Sequence, residues 1–360
     1  MDFIPLIDAL GDGGAAAFGG LLIGLLYGAS AHKSRFCLRA AAVEFARGSI
    51  GPRVSIWLLC FATAVFWVQL GAILGFLELD EARWLASAGS ISGAILGGLI
   101  FGAGMVLARG CPGRLLVLAA TGNLRALLSG LVFAVAAQMS LHGLIGPIRS
   151  TLAGLWTTGG PNPDLLGATG VGASGGMALG LLCTGAALYF AYRNRITALE
   201  LIAGCGVGFS VALGWWFTYT LSGQTFDPTT VESLTFSGPS ADTLMFTLTP
   251  FEGAWDFDIG LVPGVLIGAV ISALIFGDWR WQGFEGAANM RRYLIGAAFM
   301  GFGAMLAGGC AIGAGVTGGS AFALTAWIAL TAFWAGAAAT DYLVDRESPD
   351  PKGLAATPAE

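Results

Sequence analysis

Charged residues are scarce in this 360-residue chain. Asp, Glu, Lys and Arg together make up 11% of it, and 56% of the residues are hydrophobic. Soluble domains carry about 25% charged residues, so this composition excludes an ordinary soluble domain and indicates an integral membrane protein. The 57 glycines fit this class, because small residues let membrane helices approach each other closely.

Histidine is nearly absent as well, which limits the chemistry. Only His32 and His142 occur, and the six cysteines lack the short paired spacings of a metal site. The sequence also has no P-loop, dinucleotide-binding fingerprint or nucleophile elbow. We therefore expect no metal, no cofactor, no catalytic residues and no nucleic-acid partner. Residues 1–14 hold acids but no Lys or Arg, which argues against a cleavable signal peptide.

Long apolar runs predict nine membrane-spanning segments. A helix needs roughly 20 residues to cross a ~30 Å hydrocarbon core. The runs lie at about 15–31, 54–77, 90–108, 125–146, 171–192, 198–221, 259–277, 291–308 and 321–343. We expect an all-α polytopic membrane protein in which residues 1–360 form a single membrane domain, with a short cytoplasmic tail at 344–360.

One short motif occurs twice in the chain. The sequence LARGC at 107–111 returns 199 positions later as LAGGC at 306–310. The repetition predicts two halves, about 16–147 and 198–343, joined by a connector helix at about 171–192. The apolar stretches 110–122 and 309–320 are too short to span, so we expect re-entrant loops with short helices, which membranes tolerate only inside protein or around a cavity. Tight surface turns are the alternative.

Basic residues are distributed unevenly over the predicted topology. All but Arg83 and Arg149 of the 17 Lys and Arg residues fall on one side, and the loop predicted at 222–258 on the other side has none. The positive-inside rule then predicts an inner-membrane protein with its N-terminus outside and its C-terminus in the cytoplasm. In this orientation the halves are inverted repeats, an arrangement that places a transporter's substrate near the membrane midplane.

The two Gly-Cys motifs supply the candidate site. Cys111 and Cys310 lie in glycine-rich backbone, and Gly110, Gly309 and Gly313 allow a ligand to approach the main chain closely. A half-helix that begins after each cysteine would direct free N–H groups at an anion. The alternative is that both cysteines are small buried hydrophobes. That packing role is our expectation for three other cysteines, Cys60, Cys183 and Cys205.

Further candidates surround these cysteines. Arg109 and Arg114 flank Cys111 and would guide or hold an anion, with phospholipid anchoring as an equal alternative. Thr317 is a polar candidate in the second motif. Cys37 lies among cations just after the first predicted span, where an anion would be attracted; a buried position at the membrane edge is its alternative.

Three segments resemble one known family. They are SRFC at 34–37, the run from Ala108 to Arg125, and the run from Gly308 to Gly318, and they resemble the YeeE/YedE sulphur-transport membrane proteins. The resemblance extends over about residues 16–343. It implies an hourglass-like fold in which opposed short helices meet at a central constriction. Three cysteines line the path in that family, and they correspond to Cys37, Cys111 and Cys310.

The resemblance also implies a function. Characterised family members import thiosulphate, so we expect uptake of thiosulphate or a related small sulphur oxyanion by a transporter rather than an enzyme. The family often works with a small sulphur-carrier protein of the TusA type in the cytoplasm, which we expect to be a separate partner. Two alternatives remain open: a membrane sulphurtransferase that passes a cysteine persulphide, and a channel for another small solute such as a selenium compound.

Overall fold

The computed structural model describes residues 3–225, 230–249, 255–284 and 286–346, which are almost entirely helical. The helices are α1 Ile4–Ser34, α2 Leu38–Ala46, α3 Pro52–Ile73, α4 Arg83–Ala86, α5 Ile91–Leu107, α6 Pro112–Ala120, α7 Leu124–Leu141, α8 Gly146–Gly154, α9 Leu165–Ala168, α10 Gly172–Arg193, α11 Ala198–Ser222, α12 Gly238–Leu248, α13 Phe257–Phe276, α14 Ala287–Leu306 and α15 Leu324–Thr340. Two short strands, β1 Ala88–Ser90 and β2 Thr157–Pro161, pair antiparallel with Ala88 opposite Pro161 and Ser90 opposite Thr157. The predicted all-α fold class is confirmed.

Seven stretches in the described part of the chain are long and apolar enough to cross a membrane. They are α1 with α2, α3, α5 with α6, α7, α10, α11 and α13. The last two predicted segments are also helices: α14 has 20 residues and α15 has 17. Helix α14 begins at Ala287, four residues before the apolar run predicted at 291–308. Its 20 residues span about 30 Å at ~1.5 Å per residue. The protein is therefore a multi-pass membrane protein, and the count of nine spans stays a prediction.

Glycine stripes bring helices into backbone contact. Helix α1 packs along α13, and at each glycine of the stripe an added Cβ would collide with a backbone carbonyl of the opposite helix. Small residues four apart are the usual means of such close approach in membranes. The stripe comprises Gly20, Gly24 and Gly28 on α1 and Gly260, Gly264 and Gly268 on α13. The same kind of contact joins α5 to α14, so the glycine content reflects packing.

The two Gly-Cys motifs continue into different backbone. After Cys111 the expected short helix is present as the nine-residue α6. After Cys310 the short helical element is a π-helical turn, Gly313–Gly318, in which the Thr317 N–H donates to the Ile312 carbonyl at 2.8 Å. Glycine lowers α-helix propensity by about 1 kcal/mol per residue, and π turns recur at functional sites.

The stretch 222–258, predicted as an outer loop, is partly interior. Residues 231–237 are all buried, and α12 follows them directly. Helix α11 holds part of this stretch: Thr218 Oγ1 donates to the Glu232 carbonyl at 2.6 Å and accepts from the Glu232 N–H at 3.2 Å, and Ser233 Oγ donates to the Val211 carbonyl at 2.6 Å. Irregular backbone is buried at low cost when its hydrogen bonds are made, so residues 231–237 of this predicted loop lie inside the protein.

Candidate functional site

The three cysteines of the predicted path share one backbone arrangement. Each lies two positions after a residue in the left-handed region, namely Arg35 (φ 53°) before Cys37, Arg109 (φ 55°) before Cys111 and Gly308 (φ 82°) before Cys310. Left-handed residues terminate helices, and these three follow the ends of α1, α5 and α14. The chain then turns into a new short element, so all three thiols stand at breaks between helices.

Cys37 and Cys111 form a pair. They occupy the N-cap positions of α2 and α6 in extended backbone (φ −162° and −86°), and their thiols lie within interaction range of each other. Each sulphur also lies near the N–H of the residue three positions on, Ala40 or Arg114, without the geometry of a full side-chain cap. The first N–H groups of a helix lack intrahelical acceptors. The pair therefore borders two sets of backbone donors.

An arginine charge accompanies this pair. Arg114, in the first turn of α6, lies within electrostatic range of both thiols, and no residue in the described ranges forms an ion pair with it. Arg39, in the first turn of α2, instead lies 3.7 Å from Asp345. The Arg109 side chain is exposed, so its clearest contribution is the left-handed turn before Cys111. Arg114 is the cation whose charge is available to an anion near the thiol pair.

Cys310 has a different environment. Its sulphur accepts a hydrogen bond from the Phe236 N–H at 3.3 Å and lies 3.9 Å from Thr235 Oγ1. Thr235 Oγ1 is in turn 3.1 Å from Ser237 Oγ. Cys310 is fully buried, and the stretch from Thr235 to Ser237 surrounds it with hydroxyl and backbone donors. The polar run of residues 232–237 was the one signal for this contact in the sequence, and it also fitted a surface loop.

The remaining candidates in the second motif position this segment. Thr317 Oγ1 donates to the Leu234 carbonyl at 2.6 Å, so its hydroxyl fixes the segment that contacts Cys310. An added Cβ at Gly313 would collide with Thr235, and one at Gly309 would lie 2.8 Å from the Ala314 nitrogen. These two glycines are required by packing. Gly110 has more room, since its Cβ would lie 3.3 Å from Leu115 Cδ2.

Two aromatic residues lie between the motifs. The rings of Tyr27 and Phe236 have centroids 4.9 Å apart, and both side chains are fully buried. A Cβ placed at Gly113 in α6 would lie 3.1 Å from the Phe236 ring. Phe236 thus contacts the Cys310 loop through its backbone and the first turn of α6 through its side chain. Tyr27 and Phe236 thus connect the Cys310 loop with the first turn of α6, the helix that Cys111 precedes.

The position of Cys60 is consistent with the packing role predicted for it. It is fully buried on α3 within the main apolar core. Cys183 and Cys205 are partly exposed on α10 and α11, and none of the six cysteines is in a disulfide.

Comparison with known proteins bears on this site. Residues 33–339 match the family described as "Sulphur transport". A protein of Spirochaeta thermophila named "Thiosulfate transporter TsuA" is 25% identical over 335 residues, covering 88% of this chain and 96% of the relative. A protein of the same name from Escherichia coli is 30% identical over 111 residues, 31% of each chain. The family match spans most of the chain, and this chain therefore belongs to the sulphur-transport family.

Proposed function

We propose that this protein carries thiosulphate, or a closely related sulphur oxyanion, inward across the cell inner membrane. The anion would pass Cys310, then Cys111, then Cys37, in a chain oriented with its N-terminus outside and its C-terminus in the cytoplasm. The names of the two relatives support the substrate. The asymmetry of Lys and Arg supports the orientation.

The observation that carries the proposal is that all three thiols stand at helix breaks and are linked through Tyr27 and Phe236. Cys37 and Cys111 interact, and Cys310 contacts Phe236, whose ring reaches the first turn of α6. Residues that merely fill space in separate helices would not need this common geometry. The position of all three thiols beside helix ends and backbone donors fits a route for an anion.

Thiosulphate has two kinds of surface to recognise. Its terminal sulphur is soft and polarisable, and its three oxygens are hard hydrogen-bond acceptors. Neutral thiols are weak donors with polarisable sulphur, so they match the terminal sulphur, while the N–H groups of α6 and the charge of Arg114 suit the oxygens. Gly110 and the Arg109 turn would hold Cys111 in place, and Gly309, Gly313 and Thr317 would do so for the Cys310 loop. Weak sites in series let an ion enter and leave again.

The proximity of Cys37 and Cys111 favours a second candidate, a covalent sulphur relay. A cysteine thiolate would attack the terminal sulphur of thiosulphate, forming a cysteine persulphide and releasing sulphite with the electrons of the broken S–S bond. The neighbouring cysteine thiolate would then take the terminal sulphur and release the first cysteine as thiolate. In this scheme the sulphur enters the cell and the sulphite stays behind.

Two samples of thiosulphate, each labelled at a different sulphur atom, separate the two candidates. The protein in proteoliposomes would be given thiosulphate labelled at the terminal sulphur in one sample and at the central sulphur in another. Transport of the intact ion predicts equal uptake of both labels. A relay predicts uptake of the terminal label alone, with sulphite outside and a reductant-sensitive label on Cys37. Uptake of neither label, together with uptake of selenium oxyanions, would favour a channel for another solute.

Growth of a bacterial host on thiosulphate tests the same uptake in cells. A host without its own importers should grow on thiosulphate as its only sulphur source when it expresses this protein. Failure to grow at normal membrane levels of the protein would contradict the proposal. Sulphate and sulphite as alternative sources would define how closely the substrate must resemble thiosulphate.

A cytoplasmic partner is part of the proposal. The exposed arginines at 193, 195, 280 and 291 lie on the side proposed to face the cytoplasm, together with Cys37. A small sulphur-carrier protein of the TusA type would dock there and accept the sulphur compound. Affinity purification from native membranes should recover it. Full uptake in cells without such a carrier would count against this partner.

A further inference from the structure

Tyr27 carries a hydroxyl group that the fold does not use. The residue lies on α1 with a relative exposure of 0%, and its hydroxyl has no hydrogen-bond partner among the residues that the structure describes. Buried tyrosine hydroxyls usually find a partner. Phenylalanine would fill the same space without an unpaired polar atom, so packing does not explain the hydroxyl.

The hydroxyl lies at the N-terminal turn of α6. A Cβ added at Gly113 would be 2.7 Å from it, so the absence of a side chain at Gly113 admits the phenol. The thiols of Cys111, Cys310 and Cys37 are within electrostatic range of the hydroxyl, as is that of Cys60. Helix α6 has no side-chain cap hydrogen bond, and the first N–H groups of a helix have no intrahelical acceptor. The unpaired Tyr27 hydroxyl and these N–H groups thus lie near one another, between Cys310 and the Cys37–Cys111 pair.

We propose that the Tyr27 hydroxyl is a substrate-binding donor that holds an oxygen of the sulphur oxyanion as it passes from Cys310 to Cys111. The proposal rests on the proposed function and adds the group that recognises the hard end of the substrate. The thiols meet the soft sulphur, and Tyr27 with the N-terminus of α6 meets the oxygens. The Tyr27 hydroxyl, which has no partner among the described residues, would donate to an oxygen of the anion.

Tyr27→Phe tests this role, because it removes the hydroxyl and keeps the ring that packs on Phe236. A buried hydrogen-bonding group without a partner is unfavourable, so the variant should be at least as stable as the wild type. A hydrogen bond to a charged acceptor is among the stronger ones. We expect kcat/KM for thiosulphate uptake in proteoliposomes to fall about 10- to 100-fold. Addition of thiosulphate should raise the melting temperature of the wild type and leave that of the variant nearly unchanged.

Tyr293→Phe is the matched control. Tyr293 is also fully buried, and its ring lies 4.8 Å from the guanidinium carbon of Arg125. We expect this variant to retain wild-type uptake.

Three outcomes would overturn the proposal. Wild-type uptake by Tyr27→Phe would show that the hydroxyl is not used. A loss of uptake that follows a lowered melting temperature without added substrate would assign Tyr27 to packing. Failure of the wild type to take up thiosulphate would refute the proposed function itself, and the role of Tyr27 with it.

Discussion

Replacement of Cys310 separates a transport role of the thiols from simple packing. Its sulphur accepts the Phe236 N–H at 3.3 Å in a fully buried site. Cys310→Ala removes that acceptor and leaves a buried N–H unpaired, which costs about 1–3 kcal/mol. We therefore expect a lower melting temperature in detergent and, separately, a loss of uptake.

The size of the transport defect follows from the lost contact. A hydrogen bond to a charged group contributes about 1.5–3 kcal/mol, and a thiol is a weak donor. At the lower end of that range kcat/KM for thiosulphate should fall roughly tenfold, because 1.4 kcal/mol corresponds to a factor of ten. Cys310→Ser keeps an acceptor for the Phe236 N–H but loses the polarisable sulphur. It should recover stability while uptake recovers only in part.

The assay is initial uptake of labelled thiosulphate in proteoliposomes at matched protein amounts. Cys60→Ala is the matched control, since Cys60 is equally buried and we assign it to packing. Cys111→Ala and Cys37→Ala should behave like Cys310→Ala in transport. If Cys310→Ala transports as well as Cys60→Ala, the cysteine-lined path is wrong. Full uptake by Cys310→Ser would show that transport needs only a hydrogen-bonding group at this position and not the polarisable sulphur.

Three further predictions test the topology, an outer carboxyl group and the packing of the second motif. A cytoplasm-specific reporter fused at the C-terminus should be active, and a tag inserted at the exposed Thr247 should be labelled from outside; the reverse pattern would invert the orientation. Burial raises the pKa of Glu232 to about 7, although Arg83 at 3.2 Å acts to lower it. The unfolded chain loses this proton near pH ~4.3, so the folded protein should lose stability as pH rises from about 4.5 to about 7. Glu232→Gln should flatten the change in melting temperature over that range, and an unchanged slope would contradict the assignment. Gly313→Ala should displace Thr235 and destabilise the protein by about 1–3 kcal/mol; Thr235→Gly in the same chain should recover part of the loss, and additive effects would rule out their contact.

Composition and local pattern determined the class of the protein. Scarce charge and long apolar runs follow directly from the demands of a hydrocarbon core, so the helical membrane fold could be predicted from the sequence. The duplicated Gly-Cys motif identified Cys111 and Cys310, and the resemblance added Cys37. These features are local, and each is contained in a few consecutive residues.

The detailed site depended on contacts between distant parts of the chain. Phe236 meets Cys310 across 74 positions, and Tyr27 meets Phe236 across more than 200. The spacing of residues within one helix or loop carries no information about such long-range contacts. The polar stretch containing Phe236 resembled a surface loop because its composition shows only that its polar groups need partners, and Thr218 on α11 provides one from within the protein.

Tertiary structure also decided which partners individual polar groups have. An arginine beside a cysteine has the same chemistry in any sequence, yet Arg39 lies near Asp345 and Arg114 has no ion-pair partner in the described ranges. A tyrosine in an apolar helix is ordinary, and the missing partner of the Tyr27 hydroxyl is visible only once its neighbours are in place. The sequence by itself determined that this is a helical membrane protein with paired Gly-Cys motifs, because those properties depend on residue type and spacing, while its place in the sulphur-transport family came from similarity to known proteins. Which donors surround those cysteines was decided by the tertiary structure, since burial and hydrogen bonding are properties of groups brought together from across the chain.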